Sequence, residues 1–420
     1  MDSLVGKKLL VLGANVETIP LIVTAKKLGV FVYVTDFNPN APAKKYADKS
    51  FDVDGLNIHG LVELCKIEKI DGVIVGVADR LIHSYYELCS ILNLPCYASK
   101  EQCDYFTNKS KFNELCYKFD INTIPNFNNE FLDIKARKSI KYPVFVKPTD
   151  ANSGKGISIC YNEKELIGGI KKAKIFSKTK GYLIEKFMHC DNMLINYTFI
   201  NGKILVSATA DTATTSEQGN LSRVCLGNSY PSKFTSLYFE QLHDKMVLMF
   251  KYLGIKNGVF MISAFVENGN IFLYDPGFRL QGEAPDIVIK EICGYDQKEL
   301  LVYFSLIRSI NFTQFKFSDQ MFKGKKFAAS IWILLKIGKI SRITGLEILD
   351  QNNCVVKCNI RFNVGDIVSE EMIGTESQVF ARIYLVSDDL NILNNKSNLI
   401  KNALKVFDIN NTEMSLNFNN

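Results

Sequence analysis

Short apolar runs alternate with amphipathic stretches through the first hundred residues. Lys8–Gly13 is a β-type run ending in glycine, Glu17–Leu28 carries apolar positions at helical spacing, and Val30–Thr35 begins a second strand closed by Asp36. This is a βαβ unit. Leu61–Lys69 then reads as a helix, Gly72–Val77 as a strand, Leu81–Leu92 as a helix, and Pro95 opens another short extended stretch. Such alternation predicts a parallel, doubly wound α/β sheet with ligands near the carboxyl ends of its strands.

A helix over Asn108–Phe119 ends that region or opens the next. Pro125 and the Asn-rich loop 126–129 then interrupt the chain. Beyond them the pattern becomes strand-rich: Tyr142–Lys147, Gly156–Cys160, Tyr182–Phe187, Leu194–Ile200, Lys203–Ala210, Val259–Val266 and Asn270–Tyr274, with Asn201-Gly202 and Asn268-Gly269 as hairpin turns. Helices fit Glu163–Phe176, Phe239–Leu253 and Ala284–Ile292. This is an α+β arrangement dominated by antiparallel strands. After a polar stretch at 311–325, strands are expected at Phe327–Leu335, Ile340–Leu349, Cys354–Phe362 and Val379–Ser387, with a last helix over Asn394–Val406 and a frayed tail from Asn410. The chain thus divides into three units: 1–107 (α/β), 108–315 (α+β) and a small β-rich unit, 316–420. No internal repeat or heptad is visible.

Composition adds limits. A length of 420 residues with 47% hydrophobic and 22% charged positions supports a sizeable core. The net charge of +6 is spread along the chain, which gives no sign of nucleic acid or an anionic membrane as a partner. No apolar stretch reaches the roughly 20 residues of a membrane span, and the start lacks signal-peptide form, so a soluble, cytosolic protein is expected. The 11 cysteines include no C-x-x-C pair, and they read as reduced thiols, mostly in the core. The four histidines, His59, His83, His189 and His243, are isolated and read as surface or structural residues.

The strongest local signal is Tyr142-Pro-Val-Phe-Val-Lys147, a strand ending in lysine, followed by the small-residue loop Asn152-Ser153-Gly154-Lys155-Gly156. A strand-borne lysine beside such a loop can hold phosphate oxygens with its ammonium and with unobstructed backbone N–H groups. An exposed hairpin loop is the plain alternative, because the segment lacks the eight-residue P-loop pattern and does not open a helix. Around it, in order, stand Asn108-Lys109-Ser110-Lys111 at a helix start, Tyr182-Leu-Ile-Glu-Lys-Phe-Met188, and Phe272-Leu-Tyr-Asp-Pro-Gly-Phe-Arg279.

This order of features resembles the ATP-grasp superfamily over about residues 5–310 and, more weakly, over the last hundred. The resemblance implies an N-terminal Rossmann-like pre-ATP-grasp domain, an ATP-grasp domain with a lid part near 120–188, and a small C-terminal domain. It implies ATP with Mg²⁺, with Lys109 and Lys147 on the α- and β-phosphates and Asn152–Gly156 as the lid loop. Glu185, Lys186, Phe187 and Met188 would form the adenine hinge, with backbone groups of Lys186 and Met188 on the base. Asp191 falls near the ribose-binding position; a turn residue is its other reading.

The metal region departs from the family pattern. Typical members place a glutamate on one strand and Glu-x-Asn on the next, holding two Mg²⁺ ions. Here those positions are Ser263, Asp275 and Gly277, while Arg279 keeps the arginine that stabilises the phosphorylated intermediate. Three readings stand: Asp275 works with other acids such as Glu283, Asp211 or Glu217; the chain binds nucleotide but turns it over poorly, as a regulatory module; or it phosphorylates an amide or hydroxyl acceptor. Ala208–Ser232 reads as a substrate-covering loop, with Asp211 and Arg223 as candidate substrate contacts; a solvated role fits Arg223 equally. The resemblance implies a ligase that activates a small-molecule carboxylate as an acyl phosphate for an amine or thiol, with a homodimer left open. A Rossmann oxidoreductase is disfavoured because Val11-Leu-Gly-Ala-Asn-Val16 lacks the second and third glycines.

Overall fold

A computed structural model of the chain describes residues 4–133, 136–149, 156–188, 190–215, 224–308, 322 and 325–416. Strands β1 (Lys8–Leu12), β2 (Phe31–Thr35), β3 (Lys49–Phe51) and β4 (Gly72–Val75) form a parallel sheet in the order β3-β2-β1-β4. Leu9–Leu12 and Val73–Val75 are buried throughout, the pattern of parallel strands covered on both faces. Helices α1 (Ile19–Lys27), α2 (Ile58–Glu68) and α3 (Ile82–Leu92) connect or follow the strands. Chain order moves from β1 outward to β2 and β3, then returns to the other side of β1 at β4, so a crevice opens past the carboxyl ends of β1 and β4. The short extended stretch expected after Pro95 joins no sheet. Instead Ser99 and Gln102 form a reciprocal capping box that starts α4 (Lys100–Thr107). Asn108 then caps α5 (Lys109–Lys118), accepting from Lys111 N–H.

After a short α6 (Asn128–Leu132), strands β5 (Val144–Pro148), β6 (Ser158–Cys160) and β7 (Tyr182–Lys186) form a small antiparallel sheet. Helix α7 (Glu163–Phe176) closes it through Leu166, Ile170 and Ala173. Strands β8 (Asp191–Ile200), β9 (Lys203–Thr214), β10 (Cys225–Tyr230), β11 (Gly258–Glu267) and β12 (Asn270–Gly277) come after it. Two helices, α8 (Thr235–Gln241) and α9 (His243–Tyr252), occupy the span expected to hold one, with the break at Leu242. Helix α10 (Asp286–Cys293) and a further helix without a sequence expectation, α11 (Gln297–Ile307), come next. Helix α11 packs on β4, β1 and α1. Gly72 permits this approach, because a Cβ there would stand 2.2 Å from Ser305 O.

The expected covering loop over Ala208–Ser232 is largely strand, as β9 extends to Thr214 and β10 begins at Cys225; residues 216–223 lie outside the described residues. Its polar side chains pair across strands and so hide the strand pattern: Thr212 Oγ1 donates to Asn228 Oδ1 at 2.7 Å. A buried aromatic cluster of Tyr197, Phe199, Phe250, Phe260 and Phe278 packs beneath this sheet, with Tyr197–Phe250 and Phe199–Phe250 centroids both 4.9 Å apart.

The last part contains β13 (Phe327–Leu334), β14 (Gly338–Thr344), α12 (Glu347–Gln351), β15 (Val355–Ile360), β16 (Ile367–Val368), β17 (Val379–Ser387), α13 (Leu390–Ala403) and β18 (Lys405–Asp408). The strand expected over Ile340–Leu349 ends at Thr344, where Gly345 turns with φ +80° against Ala403 O and α12 begins shortly after. Residues 405–406, expected as helix, are strand. The tail is held to Leu416, since Lys336 N–H donates to Met414 O and Leu416 N–H to Leu334 O. Strands on both sides of residue 316 share one eight-stranded sheet, β12-β11-β8-β9-β10-β13-β17-β15. The junction is tight at Gly227, whose φ is +142° and whose added Cβ would meet Ser330 O at 2.0 Å. We expect Gly227→Ala to separate β10 from β13 and cost about 2–4 kcal/mol, the scale of combined strain and overpacking. A lowered thermal unfolding midpoint beside a Gly254→Ala control checks this.

Candidate functional site

Lys147 on β5 and Glu185 on β7 lie on one face of the small sheet. Phe145 pairs with Glu185 and Lys147 with Leu183, which makes residues 147 and 185 diagonal neighbours. Lys147 Nζ sits 2.6 Å from Glu185 Oε2, and both side chains are nearly enclosed, at 13% and 5% exposure. Lys109, the first residue of α5, has its ammonium pushed below the usual lysine range by burial and by the Lys147 charge, opposed by Asp275 and Glu185. Lys109, Lys147, Glu185 and Asp275 therefore act on one space.

Asp275 reaches that space through a backbone irregularity. Ile262 pairs with Pro276 and Ser263 with Tyr274, which leaves Asp275 as an extra residue on β12 with φ +51° and an exposed side chain. Ser263 hydrogen-bonds Tyr274, and Gly277 packs where a Cβ would stand 3.0 Å from Met261 Sδ. Among the described residues no three His, Cys, Asp or Glu side chains are grouped to hold a metal. Asp211, expected as a partner of Asp275, is committed elsewhere: it accepts from Ser232 Oγ at 2.6 Å and Lys233 N–H at 2.9 Å, fixing the turn before α8. Glu217 lies outside the described residues. One carboxylate does not make a protein cage for Mg²⁺. It does suit an ion held chiefly by phosphate oxygens and water, which is how Mg²⁺ is commonly bound.

Arg279, just past β12, crosses to the N-terminal sheet. Its Nε donates to Asp79 Oδ1 at 2.7 Å, Nη2 donates to Asp79 Oδ2, and Nη1 donates to Leu280 O at 2.8 Å. Asp79 begins the turn beyond β4, at the strand-order reversal. Glu17, in the turn after β1, is held the same way: Arg361 Nη2 donates to it at 2.9 Å, and Arg382 Nη2 lies 3.8 Å away. Sequence pattern does not single out Asp79, Glu17, Arg361 or Arg382. An acid just past a strand end at the expected reversal is the available signal for the two acids; nothing local marks the arginines.

Glu283 lies beside this seam. Burial and the nearby Glu376 charge push its carboxyl up to about 7, against the pull of Arg382 and Arg279. Gln281 donates to it, Tyr384 OH donates to Glu283 O at 3.0 Å, and Arg382 Nη1 donates to Gly282 O at 2.7 Å.

Part of the expected adenine hinge is already engaged. Lys186 N–H donates to Pro125 O at 2.9 Å and its ammonium pairs with Glu267, so that amide has no N–H left for a base. Phe187 and Met188 are buried, and Phe187 N–H donates to Pro143 O. Asp191 is exposed and paired with Lys233 at 2.8 Å. Asn152, Ser153, Gly154, Lys155 and Arg223 lie outside the described residues. Gly156 has φ +77°, and a Cβ would meet Phe176 at 2.7 Å and Pro148 at 2.8 Å.

Residues 108–230, which include Lys109, Lys147, Glu185 and Asp191, match the family of the carbamoyl-phosphate synthase L chain, ATP binding domain. The chain superposes along nearly its whole length on solved ATP-grasp proteins. It has the ATP-grasp fold. Phosphoribosylglycinamide synthetase from Anaerococcus prevotii matches with TM-score 0.76 at 19% identity, covering 96% of this chain and 99% of that one. L-amino acid ligase from Bacillus licheniformis matches equally well, with TM-score 0.76, 18% identity and the same coverages. The biotin carboxylase domain of Hydrogenobacter thermophilus 2-oxoglutarate carboxylase, a dimer in complex with MgADP, ADP and bicarbonate, gives TM-score 0.73 at 17% identity, covering 97% of this chain and 91% of that one. In sequence, the formate-dependent phosphoribosylglycinamide formyltransferase of Prochlorococcus marinus (strain MIT 9515) is 29% identical over 201 residues, 46% of this chain and 50% of its own length. The chain thus spans about half the length of the first curated relatives it matches. No helix among the described residues of this ATP-grasp protein is long and apolar enough to cross a membrane.

The Glu283 carboxyl gives a signed pH expectation. Unfolded, it loses its proton near the ordinary 4.5; folded, it keeps the proton up to about 7. The folded state therefore binds more protons between these values, and this group's contribution to stability is present below 4.5 and lost as pH rises through 7. Glu283→Gln should flatten the decline of the unfolding midpoint between about pH 5 and 8, read by thermal scans of both proteins.

Proposed function

We propose that the chain is an ATP-dependent ligase that activates a small-molecule carboxylate as an acyl phosphate and passes the acyl group to an amine or thiol, releasing ADP and phosphate. The observation that carries this reading is the convergence of Lys109, Lys147 and Asp275 on one space, with Arg279 held at its border. A carboxylate resists attack by an amine because its carbon is electron-rich and its leaving group would be an oxide. ATP removes that obstacle by supplying a phosphoryl group.

The chain's own residues have distinct tasks in this scheme. Lys147 and Lys109 bind phosphate oxygens, and the Lys147–Glu185 pair holds the first ammonium in place beforehand, so little reorganisation is needed. Asp275 would hold the magnesium ion borne by the nucleotide. Arg279 uses three N–H groups on Asp79 and Leu280, leaving one N–H on each terminal nitrogen for an oxygen of the transferring phosphoryl group. Glu283, with its carboxyl near 7, takes a proton from the attacking ammonium. The Glu17, Arg361 and Arg382 seam borders the acceptor side. Relatives named phosphoribosylglycinamide synthetase, L-amino acid ligase and formate-dependent formyltransferase support the class. The adenine would meet backbone near Met188 rather than the Lys186 N–H. The presence of Ser263 and Gly277 at the other metal positions favours one competing reading, a nucleotide-binding module with little turnover.

The test incubates the protein with Mg-ATP and pooled amino acids, small organic acids and amines, and follows nucleotide and phosphate by phosphorus NMR. Substrate-dependent ADP and phosphate, lost in Asp275→Asn, support the ligase; AMP with pyrophosphate rules out the acyl-phosphate route; ATP binding without turnover favours the module. In the active case Arg279→Met should lower kcat about 10²–10³-fold, the size of losing one electrostatic stabiliser, with ATP affinity within about threefold. The kcat–pH profile should rise through about pH 7 and lose that limb in Glu283→Gln.

A further inference from the structure

The N-terminal domain contains a thiol pair that the proposed ligase chemistry does not use. Helix α3 ends with Asn93 at φ +53°, and Leu94 N–H donates back to Cys89 O at 2.9 Å, which folds the chain leading to Cys96 over Cys89. Cys89 is fully buried and hydrogen-bonds the half-buried Cys96, whose thiol also donates to Ala98 O at 3.2 Å and is bonded by Tyr85. The bond from Cys89 holds the Cys96 thiol below the usual cysteine range, while burial pushes Cys65 and Cys103 up to about 12. Cys96 is thus the accessible, ionisable partner, and Cys89 the resolving one.

The segment carrying Cys96 is connected to the site. Tyr97 N–H donates to Tyr85 OH at 3.1 Å, and Tyr97 OH donates to Phe278 O at 3.2 Å, one residue before Arg279. The Tyr97 and Phe278 rings meet edge-on at 5.0 Å over Gly258, where an added Cβ would stand 2.9 Å from Tyr97. There is no slack for Tyr97 to absorb a shift of its neighbour.

We propose that Cys89 and Cys96 are a reversible dithiol–disulfide modification site for peroxide-class oxidants, and that closing the disulfide displaces Tyr97 and loosens the 276–280 segment that presents Arg279. The Cys96 thiolate attacks a peroxide oxygen, the O–O bond breaks, and water leaves after protonation, giving a sulfenic acid. Cys89 loses its proton and attacks that sulfur; the S–S bond forms, the S–O bond breaks, and a second water leaves. Two thiols lose two electrons to one peroxide, and a dithiol reductant reverses the step. In a reducing compartment such a bond is transient.

The test treats the full chain with hydrogen peroxide, quenches with catalase, blocks free thiols with N-ethylmaleimide and maps peptides by mass. The expected result is a linked Cys89–Cys96 pair as the first product, reversed by dithiothreitol. In Cys89→Ser, dimedone should instead trap a sulfenic acid at Cys96, while Cys103→Ser leaves the linkage unchanged. Hydrogen exchange of the peptide spanning 276–280 should rise at least about twofold on oxidation. Earlier oxidation of Cys190 or Cys358 with no linked pair overturns the site, and a linked pair with unchanged exchange overturns the coupling to Arg279. Neither readout uses turnover, so failure of the proposed ligase activity leaves the result interpretable.

Discussion

Arg279 gripping Asp79 is the contact on which the site's geometry depends. The arginine comes from the end of β12 and the carboxylate from beyond β4, so one planar fork ties the large sheet to the N-terminal one, beside the packing of α11 on β4 and the Tyr97–Phe278 contact. Charge-assisted hydrogen bonds of this kind contribute about 1.5–3 kcal/mol each when partly shielded from water. The parallel Glu17–Arg361 contact adds a second tie from the far end of the large sheet. Both acids stand where the strand order reverses, the place at which an open α/β sheet offers a crevice.

The continuous eight-stranded sheet makes that arrangement stiff. Strands β13, β17 and β15 extend the sheet that contains β12, so Arg382 on β17 and Arg279 beside β12 approach Glu283 from opposite ends of one hydrogen-bonded surface. Trp332 is buried beneath the Arg382 guanidinium, 3.8 Å from ring centroid to Cζ, which holds that side chain in place by packing as well as charge. Burial with Glu376 on one side and two arginines on the other then leaves the Glu283 carboxyl near neutrality.

The two lysines show the opposite strategy. Lys109 is brought near Lys147 at a cost, because burial and the Lys147 charge both disfavour its ammonium. Glu185 and Asp275 offset part of that cost, and a polyanion offsets more. Cationic groups held together against their own repulsion are suited to phosphate, the role proposed for them above.

Local pattern is enough for the element types along most of the chain, the βαβ opening, the strand-borne Lys147 and the helix-start Lys109, because these depend on periodicity and on residues that act where they stand. It is not enough where a residue's role depends on a cross-strand partner. Thr212 and Asn228 look like loop residues until they pair, and Asp211 looks like a metal ligand until Ser232 and Lys233 take its oxygens. The α4 helix is legible in its Ser-x-x-Gln cap, whereas the fusion of β10 to β13 has no local signal, since about a hundred residues separate the two strands. That Asp79 and Glu17 meet arginines 200 and 344 positions away is fixed by the folded arrangement alone. Ion pairs over such separations come from how the sheets pack, and local periodicity cannot encode that.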